Sequence, residues 1–555
     1  MAIRRVLAKA DPQTHLQDVA TTLNNLGILL TDTNAYELAL EAYQEALEIR
    51  RALALTDPQP YLLAVAATLN SLGNLFKHIH AYDQAEQAYG EALEIKQSLA
   101  QADPTAYLGE LAHTLNDLGN LLMDMHVYGR AEQAYQHTLE MYVTLARANP
   151  QAYSWQVAMT RNNLGNSLAY QNEYEQAEKN YREALALLRT LAKANPQIHL
   201  RDLASTLNNL ANLLKNKNAY DEAEEAYEEA LKLFSGLARD SPQVYLRDVA
   251  MTLDNLGVLL QGKNDFARTE RAYTEALEVY RALAKDNPRI YLPDVAMSLN
   301  NLGNLRLDKG ECAPAEQNFR EALRLYRNLV KNNPQVYLPG LAVTLNNLAV
   351  LLANTNAYEP ALEAYREALK LYRTLGEANP QFYLTKVATT LNNLGVLLLN
   401  NNAYDQAEEA YREAYEIRKV LAASTPQAYL PDVAASLNSL GVFFKKKKSY
   451  EQAERFYREA LAVRHMLAKG NPQVYLPSVA MTAMNLSILF LQCIPDKAKS
   501  LAYVEEAVRT ALPFIGFLPA AANYARIALQ VVEAWGEDPE AFLQKIRDQP
   551  NNPQP

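Results

Sequence analysis

Apolar residues return along this chain at helical spacing, and they do so in paired segments. Val19, Leu23, Leu26, Gly27 and Leu30 lie three or four residues apart. After a short polar break, Tyr36, Ala39, Tyr43, Ala46 and Leu53 follow the same rule. No alternation of apolar and polar residues comes between them, so the pattern predicts two amphipathic helices and no strand. The pair then repeats. An Asp-, Asn-, Ser- or Thr-Pro dipeptide places Pro12, Pro58, Pro104, Pro150, Pro196, Pro242, Pro288, Pro334, Pro380, Pro426 and Pro472 at a constant step of 46 residues. A period of this size indicates a solenoid or a propeller, and paired helices select the solenoid.

Proline marks the helix limits. It is tolerated in a first turn and disruptive later, while the residue before it avoids the α region. The spacing predicts helix A over Gln17–Asp32 and helix B over Tyr36–Leu55, with an NPQVYL-type connector ahead of helix A. Pro293, Pro339, Pro431 and Pro477 are read as opening helix A, and Pro314 and Pro360 as opening helix B. Gly27, with Gly or Ala recurring at its place through Gly441, leaves room between the helices; Ala39 and Ala46 let helix B approach and Tyr43 fills the gap. One hairpin cannot bury both its faces, so stability comes from stacking on neighbours.

The expected organisation is a partial helix B stub at 1–10, then ten repeats at 11–56, 57–102, 103–148, 149–194, 195–240, 241–286, 287–332, 333–378, 379–424 and 425–470. Ile3-Arg4-Arg5 and Leu7 match Ile49-Arg50-Arg51 and Leu53, so the stub either caps the array or continues a longer chain. A degenerate eleventh repeat follows at 471–513, where Lys499 is read as replacing the small residue of helix B. Residues 514–555 are read as a capping helix, over Ala520–Ala534, and a tail.

The phrases LNNLGILL and AYELALEAYQEAL resemble the tetratricopeptide repeat, with Leu26-Gly27, Ala39, Tyr43 and Ala46 at that motif's spacing. The long helices, Pro431-Asp432-Val433-Ala434 and the run Leu391 to Gly395 are similar to kinesin light chain repeats in particular. The resemblance is strong over 11–470 and weak over 471–510, and the extra connector makes this unit longer than either pattern. It implies an all-α, right-handed superhelical solenoid whose helix A face lines a concave groove. A scaffold of this kind does not identify its partner, because function resides in the site.

On that face run columns of asparagine. Asn24, Asn70, Asn116, Asn162, Asn208, Asn300, Asn346, Asn392 and Asn438 form the first, with Asp254 in the sixth copy. Asn25, Asn163, Asn209, Asn255, Asn301, Asn347 and Asn393 form the second, and Asn74, Asn120, Asn166, Asn212 and Asn304 a third about one turn further on. An amide carries donor and acceptor, so it pairs with a peptide backbone whatever its side chains. The second and third columns are therefore the candidate partner-binding residues; the competing reading is that a column braces neighbouring helices. The Lys and Arg that chaperone-tail-binding members place along this groove are missing, since Thr21, His113, Met159 and Met297 stand there. A ligand held along its length fits better than one held by its C-terminus.

Composition narrows the rest. A net charge of −10 argues against broad nucleic-acid binding. The two cysteines, Cys312 and Cys493, make no disulfide framework and fit a reducing, cytoplasmic setting. The N-terminus lacks the apolar core of a signal peptide, and no run of 18 apolar residues is read, so no membrane span is expected. His78, His80 and His126 fall in turns of repeats two and three without a completing ligand in sequence, so no metal is expected. Lys445–Lys448 is the one basic run, read as a solvated turn. Most of the 34 tyrosines fall in the columns of Tyr61, Tyr36 and Tyr43, which are packing positions. No phosphate loop, zinc-protease or serine-hydrolase motif is present, so neither an enzyme nor a cofactor is expected. The expected function is a scaffold for a peptide or protein partner. The alternative is a sensory or regulatory module of a larger signalling or defence complex.

Overall fold

The computed structural model describes residues 12–548 apart from Asn34 and Phe517. The stub at 1–10 and the tail from 549 lie outside the described residues. The fold is an all-α solenoid, with no strand among the described residues. Contacts divide it into two units, 1–202 and 203–555, the boundary falling inside the helix Pro196–Asn216.

The repeats are pairs of 21-residue helices, as in Pro58–His78 and Tyr82–Ala102, shortened only in the second helix of repeat seven, Cys312–Val330, and of the last repeat, Lys497–Ala511. Helix A is longer than its apolar spacing suggests, because the NPQVYL segment is helical. It begins at Pro12 and its equivalents, not at Gln17. The reason lies in one residue. Asp103 is extended (φ −142°, ψ 91°); its N–H donates to Leu99 O, closing helix B, and its carboxylate accepts from Ala106 N at 3.1 Å, opening the next helix A. Asn149 and Asn379 repeat the arrangement. Proline follows at the first helical position, where its missing N–H has no partner to lose. A single Asn or Asp thus joins two helices.

Pro293, Pro339, Pro431 and Pro477 consequently sit inside helix A rather than at its start. Each leaves the carbonyl four residues back without its helical donor. Arg289 O takes the Tyr337 hydroxyl at 3.4 Å instead. Gln473 O takes the Asn218 amide at 3.0 Å, a contact in the second unit between residues 255 apart in sequence. Pro314 and Pro360 are third residues of helix B, within its first turn.

Between the helices the chain turns in three residues. The middle one is left-handed: His80, His126, Asn172, Asn218, Asn264, Gly310, Asn356, Asn402 or Lys448, with φ from 58° to 76°. The residue after it donates back to the carbonyl five residues earlier, as Ala81 N does to Phe76 O at 2.8 Å, which satisfies the carbonyls at the helix end. The first tyrosine of helix B hydrogen-bonds that left-handed side chain: Tyr174 donates its hydroxyl to Asn172 Oδ1 (2.5 Å), and the Tyr128 hydroxyl lies 2.6 Å from His126 Nδ1. His80 and His126 are therefore turn residues. Asp124 is the carboxylate near His78 and His80, and burial raises its pKa. No group of three metal-ligating side chains is assembled among the described residues.

Packing within the pair rests on glycine. A Cβ on Gly257 would lie 2.4 Å from the Tyr273 ring, and one on Gly27 would lie 2.6 Å from Tyr43. Tyr89, Tyr135, Tyr181, Tyr227 and Tyr273 are fully buried in this position. The core then runs on into the next hairpin: Ala39, Tyr43 and Leu47 pack with Val65, Leu69 and Leu72 and with Ala88 and Ala92. Two helices, Val336–Asn354 and Pro472–Gln492, are long and apolar enough to cross a membrane, contrary to the sequence reading. Both are helices A whose apolar side chains pack on adjacent hairpins, Leu345, Leu348, Met484 and Leu486 among them.

The last repeat departs from the others in register. Its turn, Cys493–Asp496, is one residue longer, so Ser500 and not Lys499 takes the small-residue place of helix B. Ser500 is fully buried, donates to Ser487 O at 3.0 Å and accepts from Trp535 Nε1 at 2.9 Å. Lys499 lies outside, over the Phe490 ring. Beyond it come two helices rather than one, Pro519–Ala534 and Pro539–Asp548. The first seals Ala480 and Ala511 with Phe514 and Ala521.

Replacing Gly257 with Leu forces a branched side chain into the Tyr273 ring, at a cost of about 1–3 kcal/mol. Gly262→Leu is the control, since nothing lies within 4 Å of a Cβ there. Hydrogen exchange on Gly257→Leu is expected to rise first within 241–286, as nearest-neighbour coupling requires. A uniform rise over all repeats contradicts it.

Candidate partner-binding face

Helices A of successive repeats touch one another directly in both units. Helices B are joined across the outside by Arg–Glu pairs such as Arg281–Glu321 (2.9 Å) and Arg373–Glu413 (2.6 Å). Each unit is thus closer-packed on its helix A side, and the exposed face of helix A lies inward.

Most of the first asparagine column does not reach this face, although Asn116, Asn346, Asn392 and Asn438 are half-buried. Asn70, Asn162, Asn208 and Asn300 are buried, and Asp254 with them. Asn208 Nδ2 donates to Thr252 Oγ1 at 2.9 Å, and Asn300 Nδ2 to Thr344 Oγ1 at 2.7 Å, so this column clamps each helix A to the next. The third column is largely claimed as well. Tyr89, Tyr135, Tyr181 and Tyr227 donate their hydroxyls to Asn74, Asn120, Asn166 and Asn212 at 2.7–2.8 Å. Asn304 differs, because the ring beside it is Phe319, which has no hydroxyl.

The second column is where the two readings meet. Asn163 Nδ2 donates to Asn116 Oδ1 and Asn120 Oδ1, and Asn393 Nδ2 donates to Asn346 Oδ1, all at 3.4 Å. Asn301 hydrogen-bonds to Asp254. These amides brace the preceding repeat with one group while remaining half-exposed. Asn209 is half-buried and bonded within the array, and Asn25 is exposed. Asn255 and Asn347 are half-exposed, and among the described residues neither side chain hydrogen-bonds to another.

Beside the amides runs an apolar stripe, of which the sequence reading placed only Met159 and Met297 along the groove. Met251 and Val258 flank Asn255, Val343 and Val350 flank Asn347, and Val396 and Val442 continue the line. Met251, Val258, Met297, Val396 and Val442 are 40–45% exposed. Offsets of four and seven residues put Met251, Asn255 and Val258 on one helical stripe. In sequence these residues share the helical spacing of the core and were absorbed into it. A cleft of about 220 Å³ opens there between Val350, Asn354 and Tyr358 of repeat eight and Asn393, Val396 and Asn400 of repeat nine.

Charge on this side is uneven. Helix B of four repeats carries a buried cation: Arg50, Lys96, Arg418 and Arg464. Each reaches across to the next helix A, as Arg418 Nη1 does to Ser436 Oγ at 2.8 Å and Lys96 Nζ to Thr114 Oγ1 at 2.9 Å. Burial lowers Arg464 to about 10. Tyr280, Tyr326 and Tyr372 occupy the same place in repeats six to eight. The Lys445–Lys448 run is tied down: Lys447 pairs with Glu408 at 2.7 Å and Lys446 bonds Asn400 at 3.2 Å.

Asp254 is the acidic exception in an asparagine column. Burial, and to a lesser degree the Asp294 charge, raises it to about 7, against hydrogen bonds from Asn301 and Ser298. Tyr273 and Tyr280 are raised chiefly by burial and further by its charge, and Arg247, paired with Asp294, is the cation nearby. The folded state therefore holds a proton that the unfolded chain releases near pH 4. Stability contributed by this site falls as pH rises from the ordinary carboxylate range to about 7, and is level above. Asp254→Asn removes that fall, so melting temperatures of the two proteins should diverge between pH 5 and 8, the variant melting higher at pH 8. Parallel curves contradict the assignment.

Family models described as tetratricopeptide repeat match residues 18–98, 202–282 and 248–328, and, with a second such model, 111–146, 157–196, 341–378, 387–423 and 433–469. Of the curated proteins, none matches the chain. Among solved structures, BtubC (BKLC) from P. vanneervenii is 27% identical over 45% of this chain and 93% of its own, with a TM-score of 0.37. A Rap protein complexed with competence and sporulation factor is 16% identical over 74% and 99%, with a TM-score of 0.41. The human IFIT1 dimer with PPP-AAAA is 16% identical over 85% and 90%, with a TM-score of 0.42.

Proposed function

The chain belongs to the tetratricopeptide repeat family, and we propose that it is a scaffold holding a peptide segment or protein loop along the inner face of repeats six to ten. The observation that carries this is the pairing of half-exposed amides with an exposed apolar stripe on one helical face. Asn255, Asn301, Asn347 and Asn393 offer donors and acceptors to an extended backbone, while Met251, Val258, Met297, Val343, Val396 and Val442 offer apolar contact to its side chains. Unpaired amides on a rigid array suit this use, because the array has already lost the freedom that binding would otherwise remove. Asn304, with no tyrosine hydroxyl to accept, belongs to the same face.

Asn74, Asn120, Asn163, Asn166, Asn209 and Asn212 belong to this reading through whichever groups their internal bonds leave free. Asn25 is the equivalent rung in the first repeat. A cytoplasmic setting and a protein rather than nucleic-acid partner fit the acidic balance of the chain.

Asn255 and Asn347 are the informative pair, since neither braces the array. Changing both to Ala should weaken a partner recovered by pull-down at least roughly tenfold, each lost bond contributing about 0.5–1.5 kcal/mol, while the melting temperature barely moves. Asn163→Ala, by contrast, should lower the melting temperature. Unchanged affinity in the double variant sinks the proposal.

A further inference from the structure

The buried cations of helix B hold a feature that packing does not require. In four repeats the same geometry recurs: the cation bonds a helix A carbonyl 14 residues on and a hydroxyl 18 residues on. Arg50 reaches Ala64 O (3.0 Å) and Thr68 Oγ1 (2.5 Å); Lys96 reaches Glu110 O (3.2 Å) and Thr114 Oγ1 (2.9 Å). Arg418 reaches Asp432 O (3.4 Å) and Ser436 Oγ, and Arg464 reaches Ser478 O (2.7 Å) and Thr482 Oγ1. Carbonyls and hydroxyls are neutral, so they hydrate the charge without cancelling it. Repeats six to eight fill the slot with tyrosine, so the fold does not need a cation there.

Among the described residues only Lys96 of repeat two forms an ion pair here; in repeat nine Asp432 stands in the same place, and its charge acts on Arg418 without an ion pair. Glu110, itself half-exposed on helix A, lowers its carboxylate onto Lys96 Nζ at 3.1 Å, although the Lys96 side chain is only 3% exposed. The slot is therefore open to a carboxylate arriving from the helix A side. In repeat ten the residue in Glu110's place is Ser478, and among the described residues no ion pair reaches Arg464, which is 4% exposed. Tyr524 of the capping helix acts on its charge. A buried guanidinium without a counter-charge is costly, and a paired one is much less so.

We propose that the Arg464 slot, between helix A of repeat eleven and helix B of repeat ten, receives an acidic side chain of the bound partner, its carboxylate taking the place that Glu110 takes over Lys96. The proposal rests on the inner face being the partner-binding face, and it adds an acidic residue to the partner's chemistry at the repeat-ten end. Arg50, beside Ala64, is the corresponding unpaired slot in the first unit.

The test has one arm without ligand. Ser478→Glu, and independently Ala64→Glu beside Arg50, rebuild the repeat-two pair and should raise the melting temperature by about 2 °C or more. The Ser478→Glu gain should vanish when Arg464 is replaced by Tyr, the residue that repeats six to eight carry. If neither glutamate stabilises, the slot does not accept a carboxylate and the proposal falls. The second arm uses end-blocked fluorescent peptides of alternating Glu and Val, and the same with Gln for Glu, on the full chain. The Glu peptide should bind roughly tenfold tighter, and Ser478→Glu and Arg464→Tyr should each abolish that advantage. Equal binding of the two peptides overturns the slot while leaving the peptide face standing. Binding of neither overturns the peptide face, and with it the partner's acidic residue.

Discussion

In eight of the ten full repeats an aromatic ring is pressed onto a position without a side chain. The ring of helix B, Tyr273 or its equivalents, lies so close to helix A that a Cβ on Gly257 would overlap it. This contact sets the distance between the two helices, and the distance sets where the next hairpin can pack. Ala211 and Ala349 stand in the glycine place in repeats five and eight, so a methyl group is tolerated with a small adjustment. The degenerate repeat shows the same rule from the other side. There Val504 replaces the ring, and Ser487 replaces the glycine.

With the spacing fixed, polar side chains divide according to depth. The deepest amides clamp one helix A to the next through Thr252 or Thr344. The next layer takes tyrosine hydroxyls from within the same repeat. Buried polar groups need such partners, because leaving one unpaired costs more than pairing it gains. The deep amides spend their donors this way, although Asn208 Oδ1 and Asn300 Oδ1 stay buried without a partner, whereas Asn255 and Asn347 of the outer column turn bonding capacity toward the exposed face. Bracing and presenting are thus two depths of one asparagine-rich face.

Variation between repeats is local and compensated. Arg161 stands where other repeats carry leucine, and it meets Glu183 and Asn180 in the same hairpin. Arg306 does likewise, meeting Asn318 at 3.1 Å. In both, an alanine of helix B has become asparagine to receive the cation. The buried cations at Arg50 and Arg464 stand apart because, among the described residues, no carboxylate pairs with them as Glu110 does with Lys96.

The sequence by itself determined the period, the helix pairs and the family, since a 46-residue repeat of glycine, tyrosine and proline admits little else. It also determined the turn chemistry: Asn-Pro between repeats, and a left-handed Asn, His or Gly within them. It did not place the start of helix A, because proline both opens a helix at Pro288 and is carried inside one at Pro293. It did not place Ser500, because one added turn residue changes which neighbour faces the core. The inner face was legible only as columns of asparagine. Which amides are used up, and which valines and methionines are left exposed beside them, depends on side chains 44 or 47 residues away. Those distances are settled by how one hairpin rests on the next, and no local spacing contains them.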